Sequence, residues 1–540
     1  MNMLTGLRSA ALPSLGRRFL SSALLLPLLG CAGADPSTES ENVQASQQGV
    51  TLDPVGVCNQ DPRVNLGLVP LAICAGARVF FDEKFNGNGR ACGTCHPAAN
   101  NYTIDPKFIA TLPSTDPLFV GDNPIFAGTL ETADLRSPLA SVRENVDGFE
   151  HVEYKFVGRA VSHTLSLATS ITRDPADNTS AAFSQRVGWG GDGAPGDGSL
   201  RSFLDGAIKQ HYTTDKNRTP GTSFRVPSDA ERDQVLAFQL ALGRTNELNL
   251  SQVTVSDAGA ATGKTAFMDP LQGRCNECHS NAGANALASG KNRNFNTGTL
   301  LAPGTFSTLP DGRLLFDGGF GGQNKAEPDL TLANPAGVEF GVAFGDGSFS
   351  VPPLIEAADT GPFFHSHNVG QASDPAQGLE QAVAFYGSNT FLLSPAAKEL
   401  NGRFNGAEVK VGPVIQPIAR FLRVLNAAFN LAIAKQRLDA SRSLNIAYWA
   451  YRDDVQKGLL RLASEEIDDA VRVLQAASDL HVAQQTGLQS AMALIAQGVA
   501  TSDPSVRKAR TESALTLVQS AKAALGTNMN FSLGAGNLMF

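Results

Sequence analysis

Residues that often carry metal and redox chemistry are scarce in this chain of 540 residues, which holds 2 Trp, 6 Met, 8 His and 7 Cys. Nor is there a surplus of positive charge. Lys and Arg number 43 against 51 Asp and Glu, a net −8 that speaks against nucleic acid as a partner and for simple solubility. Charged residues make up 17% of the chain and apolar ones 42%, the balance of a globular protein able to bury a large core. The 53 glycines imply many loops. The apolar stretch from Phe19 to Leu29 is too short for a stable membrane span. With so few candidates, the positions of the cysteines and histidines decide most of the chemistry.

Four of the seven cysteines fall in two matching stretches, Cys92-Gly93-Thr94-Cys95-His96 and Cys275-Asn276-Glu277-Cys278-His279. Each reads C-x-x-C-H, the attachment signature of c-type haem: the cysteines bond the haem vinyl groups and the histidine supplies the proximal iron ligand. A lone C-x-x-C also serves zinc and dithiol redox centres. Two copies, each with its histidine attached, point to two covalently bound haem c groups. Cys31, Cys58 and Cys74 remain. Arg8, Arg17 and Arg18 precede the Phe19–Leu29 run, so residues 1–31 read as a signal peptide. Leu28-Leu29-Gly30-Cys31 resembles a lipobox, which would lipidate Cys31; a signal peptide cut nearby without lipid is the alternative. The expected location is periplasmic, or anchored to the outer membrane of a Gram-negative bacterium through the lipid alone. In that compartment disulfides persist, and Cys58 and Cys74 are the natural pair, with buried thiols as the alternative.

Organisation follows from composition. Residues 32–54 are nearly free of apolar side chains and read as a flexible tether. Residues 55–250 and 251–430 repeat one plan: Gly76 to Phe80 and Gly263 to Phe267 (G-x-x-x-F) each lead to a C-x-x-C-H. Each half then closes on an apolar helix, Val235 to Leu242 behind a Ser228–Glu231 capping box, and Ile418 to Leu425. Residues 431–540 carry apolar side chains at helical spacing, with helix starts expected at Ser464-Glu465-Glu466 and Asp503-Pro504, and a loose tail at the end. The expected fold is mainly α: two cytochrome c-type haem domains with long loops plus a C-terminal helical bundle extension.

From about residue 70 to 430 the chain resembles the bacterial dihaem cytochrome c peroxidases and their MauG relatives. The resemblance rests on the two C-x-x-C-H motifs, Phe349-Ser350-Val351-Pro352-Pro353-Leu354, Thr360-Gly361-Pro362-Phe363-Phe364-His365, and Leu379 to Tyr386. It implies that the C-terminal haem (His279) handles electrons and the N-terminal haem (His96) carries the chemistry, with a structural Ca2+ between the haem domains. It implies Tyr386 as the second axial ligand of the C-terminal haem, where the peroxidases have Met; a packing aromatic is the alternative. It also implies His365 beside that haem, with His367 as a competing ligand. No histidine occurs between Pro97 and Phe149, which implies an open or weakly occupied N-terminal iron, with His151 and His163 the nearest alternatives. Trp189 resembles the tryptophan that relays electrons between the haems; the other tryptophan, Trp449, lies in the extension.

One departure stands out. Phe203 occupies the position of the distal glutamine in Ser199 to Asp205, and no glutamate follows before Pro227 to move a proton. Asp205, Gln210 and His211 are the available substitutes. An apolar pocket of this kind is closer to the related dihaem rubber oxygenases. Three readings follow. The first is a peroxide-dependent dihaem oxidoreductase, fed by a small redox donor protein or a quinol-linked cytochrome. The second is an oxygenase using O2 on an apolar substrate. The third is a plain electron carrier. The candidate catalytic residues are Trp189, Phe203 and His365.

Overall fold

Helix starts follow the capping chemistry of the sequence. Leu71–Asp82 (α1) leads to the single turn Cys92–Cys95 (α2), and Leu200–His211 (α3) begins behind Ser199, whose hydroxyl accepts from the Ser202 N–H. Asp229–Leu240 (α4) starts on the expected capping box: Ser228 Oγ accepts from Glu231 N at 3.3 Å, and Glu231 Oε2 accepts from Ser228 N at 2.7 Å. The second half repeats the plan with Ala258–Met268 (α5), the turn Cys275–Cys278 (α6), Gly378–Phe385 (α7) and the long Ile415–Leu444 (α8). Arg452–Gln475 (α9), Val482–Ala500 (α10) and Pro504–Leu525 (α11) form the C-terminal bundle. The computed structural model describes residues 53–126, 134–145, 151–152, 154–177, 183–193, 197–301, 307–321, 327–370, 378–444 and 452–540. The expected signal peptide, Cys31, the tether to residue 52 and Trp449 lie outside the described residues.

The internal duplication has a physical counterpart in two helix crossings. On α1, a Cβ at Gly76 would stand 1.8 Å from the Gln234 carbonyl oxygen of α4; on α5, a Cβ at Gly263 would stand 1.8 Å from the Pro417 carbonyl oxygen of α8. Only glycine lets either pair approach so closely. One turn on, Phe80 meets Phe238 edge-on at 5.3 Å, and Phe267 meets Phe421 edge-on at 5.6 Å. The G-x-x-x-F spacing is therefore a crossing device used twice.

About half of the chain is helical, and the remainder includes sheet where the sequence suggested loops. Val142–Glu144 (β1) pairs with Val157–Arg159 (β2), and Thr254–Val255 (β3) pairs with Gly526–Thr527 (β9), both antiparallel. Between them lies a five-stranded sheet of Asn294–Phe295 (β4), Ser307–Thr308 (β5), Leu314–Gly319 (β6), Leu330–Ala333 (β7) and Glu339–Ser350 (β8). Its order is β4-β8-β6-β5 with β7 also on β8, and β6 runs parallel to β8. Glycine hid these strands: positive φ at Gly319, Gly345 and Gly347 bends the backbone around a register shift, and the composition mimics a loop. Arg159 ties β2 to the sheet through a bidentate, buried pair with Asp317 (2.7 and 2.9 Å).

The boundary expected at residue 430 falls inside α8, which continues unbroken to Leu444. The run Gly412–Leu444 is apolar and long enough to cross a membrane, yet 89% of its apolar window is buried in the protein, so it is a core helix. One apolar cluster joins α1, α4, α5, α8 and the bundle, and residues 51–540 form one compact unit. Ser464-Glu465-Glu466 lies within α9 rather than at a helix start; Asp503-Pro504 does start α11. The expected loose tail is instead docked. Gly534 N and Gly536 N donate to Gly243 O and Ala241 O, and a Cβ at Gly534 would stand 2.0 Å from the Ala241 oxygen. Glycines that look like looseness in the sequence permit this approach.

Candidate functional site

The two C-x-x-C-H stretches fold alike. In each, the cysteines occupy one helical turn and the histidine ends it with nearly the same backbone, φ −120° and ψ 60° at His96, φ −114° and ψ 58° at His279. An i, i+3 pair on one turn presents both sulfurs on one side. His96 Nδ1 lies 2.8 Å from Tyr102 O, and His279 Nδ1 lies 3.1 Å from Pro352 O. Each imidazole is thereby oriented by a carbonyl at Nδ1, so Nε2 is the nitrogen that would ligate a bound iron. Burial pushes both histidines down to about 4, so both are neutral. Burial also pushes the thiols up, Cys92 to about 11 and Cys275 and Cys278 to about 12, the opposite of the low values that mark reactive dithiols. Cys58 and Cys74 form the expected disulfide.

The surroundings differ. His279 opens onto a largely apolar cavity of about 250 Å3 that Cys275, Cys278, Pro352, Pro353 and Leu354 line together with Tyr386, Trp189, His163, His365 and His367. Around His96, Cys95 packs against the cluster of Ile104, Ile109, Leu118 and Phe119, and a second cavity of about 300 Å3 adjoins that cluster at Ile109, Leu112, Phe119 and Leu135. Tyr212, just beyond α3, donates from Oη to Cys92 Sγ at 3.1 Å. The donor chemistry at both turns fits a covalently held haem: two sulfurs, one oriented neutral imidazole, and apolar walls.

Tyr386 sits on the wall that holds Cys278, among Phe385 and Phe391, and burial drives its phenol well above its ordinary value. It is a neutral phenol unless a cation such as iron inverts that preference. Trp189 and His365 share one anchor that the sequence did not reveal. Trp189 Nε1 donates to Ala160 O at 2.9 Å, and Ala160 N donates to His365 O at 2.7 Å. His365 is buried and stacks on Phe349 at 4.1 Å, with burial lowering it to about 4. His367 holds its Nδ1 2.8 Å from Leu139 O.

Phe203 lines neither cavity. It packs with Ile171, Val187 and Leu200, and its ring edge lies 3.2 Å from where a Cβ at Gly188 would stand, so it supports the loop that carries Trp189. Asp205 pairs with Arg232, Gln210 accepts from Asn145 N, and neither they nor His211 lines a cavity. His151 is exposed and stacks on Tyr154. Among the described residues no three His, Cys, Asp or Glu side chains converge to hold an ion.

Tyr102 and Ala160 are the residues that sequence reasoning missed. Both act through the backbone, which leaves no mark in the side-chain pattern. No protein-family model, curated protein or solved structure matches the chain.

Proposed function

We propose that the chain is an exported dihaem c-type cytochrome oxidoreductase that works on peroxide, with the reactive iron at His96 and the electron-handling iron at His279. The observation that carries this reading is the pair of superposable C-x-x-C-H turns, each with its histidine held at Nδ1 by a backbone carbonyl. A bound haem supplies an iron that passes electrons, or activates peroxide where its second face is open. The chain's own residues divide the rest of the work. Tyr102 O and Pro352 O orient the imidazoles. Tyr386 lies in the His279 cavity as the candidate second ligand. Trp189, anchored on Ala160 and lining that cavity, is the candidate relay, and Phe203 holds its loop. The donor is a small redox protein or a quinol-linked cytochrome.

A pyridine haemochrome assay is expected to find two c-type haems per chain. EPR of the isolated protein is expected to give one high-spin ferric signal that responds to peroxide. Tyr386→Phe is expected to change the other signal alone. A wholly low-spin protein inert to peroxide would leave only electron transfer. The largely apolar wall of the His279 cavity, and the engagement of Asp205, the one carboxylate on α3, with Arg232, favour a second reading, an oxygenase that uses O2 on an apolar substrate. Oxygenated product formed without added reductant would select it.

A further inference from the structure

We propose that the segment Asn537–Phe540 is a brace for His96, with Phe540 a positioning residue that sets the redox behaviour of the N-terminal haem site. The inference rests on the dihaem reading above and extends it to residues more than four hundred positions from the motif.

The His96 ring is held by the 2.8 Å approach of Nδ1 to Tyr102 O and meets Phe80 at 6.0 Å. Asn101 and Tyr102 both have left-handed backbone, φ 55° and 57°, a conformation that non-glycine residues keep only where the surroundings enforce it. Phe540 is part of that enforcement. Tyr102 is buried, its Oη donates to Phe540 O at 3.4 Å, and its ring lies 6.3 Å from Phe81. The Phe540 ring lies 4.3 Å from the same Phe81, beneath the Arg78 guanidinium at 5.1 Å.

The segment is itself clamped. Buried Arg63 donates from Nη1 to Leu538 O at 2.6 Å and Met539 O at 2.9 Å while its other nitrogens hold Asp61. Buried Arg437 donates from Nε to Asn537 O at 2.8 Å. Two buried guanidinium groups on the carbonyls of three consecutive residues fix a register that mere apolar cover would not need. Among the described residues His279 has no such segment: its acceptor, Pro352, lies two residues past the end of β8, beside its own cavity.

Removing the Phe540 ring admits water beside the Tyr102–His96 contact. Water stabilises the ferric, more charged state, so the potential of that haem falls. The test is a redox titration of the full chain carrying two haems, following each haem by its own spectral signal. In Phe540→Ala, at the poise that half-reduces the wild-type N-terminal haem, the oxidised-to-reduced ratio is expected to rise about tenfold, about 59 mV for a one-electron couple. The C-terminal haem is expected not to move. Phe540→Leu should recover most of the shift, and Tyr102→Phe, which removes only the Oη donor, should give a smaller shift of the same sign. Unmoved potentials in Phe540→Ala, or equal shifts in both haems, would overturn the brace. If Phe540→Ala does not accumulate, an unshifted Tyr102→Phe would do so. Absence of c-haem from the wild-type chain would instead overturn the dihaem reading, and the brace with it.

Discussion

The C-x-x-C-H turn at His96 and the one at His279 share a backbone, a glycine-mediated helix crossing and an edge-on phenylalanine pair, yet they are supported from opposite directions. His96 finds its acceptor six residues away, in a left-handed loop pressed into shape by Phe540 and Arg63 from distant parts of the chain. His279 finds its acceptor 73 residues away, at the turn after β8, and that long loop carries the walls of an apolar cavity. The two halves share what grips the C-x-x-C-H turn. They differ in the material between the turn and its histidine acceptor: a short closed loop in one half, a sheet and a cavity wall in the other.

The shared part is the easiest to break. Gly76→Ala and Gly263→Ala each put a methyl group 1.8 Å from a main-chain oxygen on the crossing helix, where only backbone displacement gives relief. Each is expected to cost about 3 kcal/mol or more and to lower the midpoint of chemical denaturation equally. A tolerated change at one position and a ruinous one at the other would dissolve the equivalence of the two crossings.

A slightly smaller effect should fall on the His96 side alone. The Cys58–Cys74 disulfide closes a loop of 16 residues that contains Arg63, the clamp on Leu538 and Met539. Replacing both cysteines with serine is expected to cost about 3 kcal/mol through the freed unfolded chain. Backbone amide hydrogen exchange at Leu538 and Met539 should then be faster than in the wild type. An unchanged exchange rate would detach the loop from the brace.

How much of this was legible beforehand follows from range. The C-x-x-C-H turns, the capping box at Ser228 and the start of α11 are local patterns of three to five residues, and each is a local element in the fold. The five-stranded sheet was not legible, because its strands are broken by glycines at positive φ and one of its pairings joins β6 to β8 in parallel between residues at least 27 positions apart. The contacts of Phe203 were illegible for a related reason: a side chain on α3 faces whatever the fold brings up, and the fold brings the Gly188 turn. The docking of Gly534–Phe540 left no periodicity at all, since its anchors are carbonyls gripped by arginines far away in sequence.

The smallest expected effect separates the two halves by pH. A buried acidic group lies against the His96 loop: Asn101 Nδ2 donates to Asp469 Oδ2 and to Asp359 O, both at 3.4 Å, while Asn426 and Asn430 donate to Asp359 Oδ2 at 2.9 and 2.6 Å. Glu466 pairs with Arg437 at 2.8 Å, the same arginine that holds Asn537. Burial, reinforced by mutual repulsion, raises Asp359 well above the carboxylate range, Asp469 to about 6 and Glu466 to about 7, with Arg437 opposing the rise at Glu466. The folded chain then keeps protons that the unfolded chain releases from about pH 4 upward, so the stabilisation from these groups is complete below that point and declines as pH rises to about 7. Glu466→Gln, which keeps the shape and cannot ionise, is expected to remove about 1–2 kcal/mol of that decline. Denaturant melts at pH 4.5 and 7.5 measure it. A variant whose stability falls as steeply as the wild type's would mean that the Arg437 pairing keeps Glu466 ionised throughout, and that the proton is held by Asp359 and Asp469 alone.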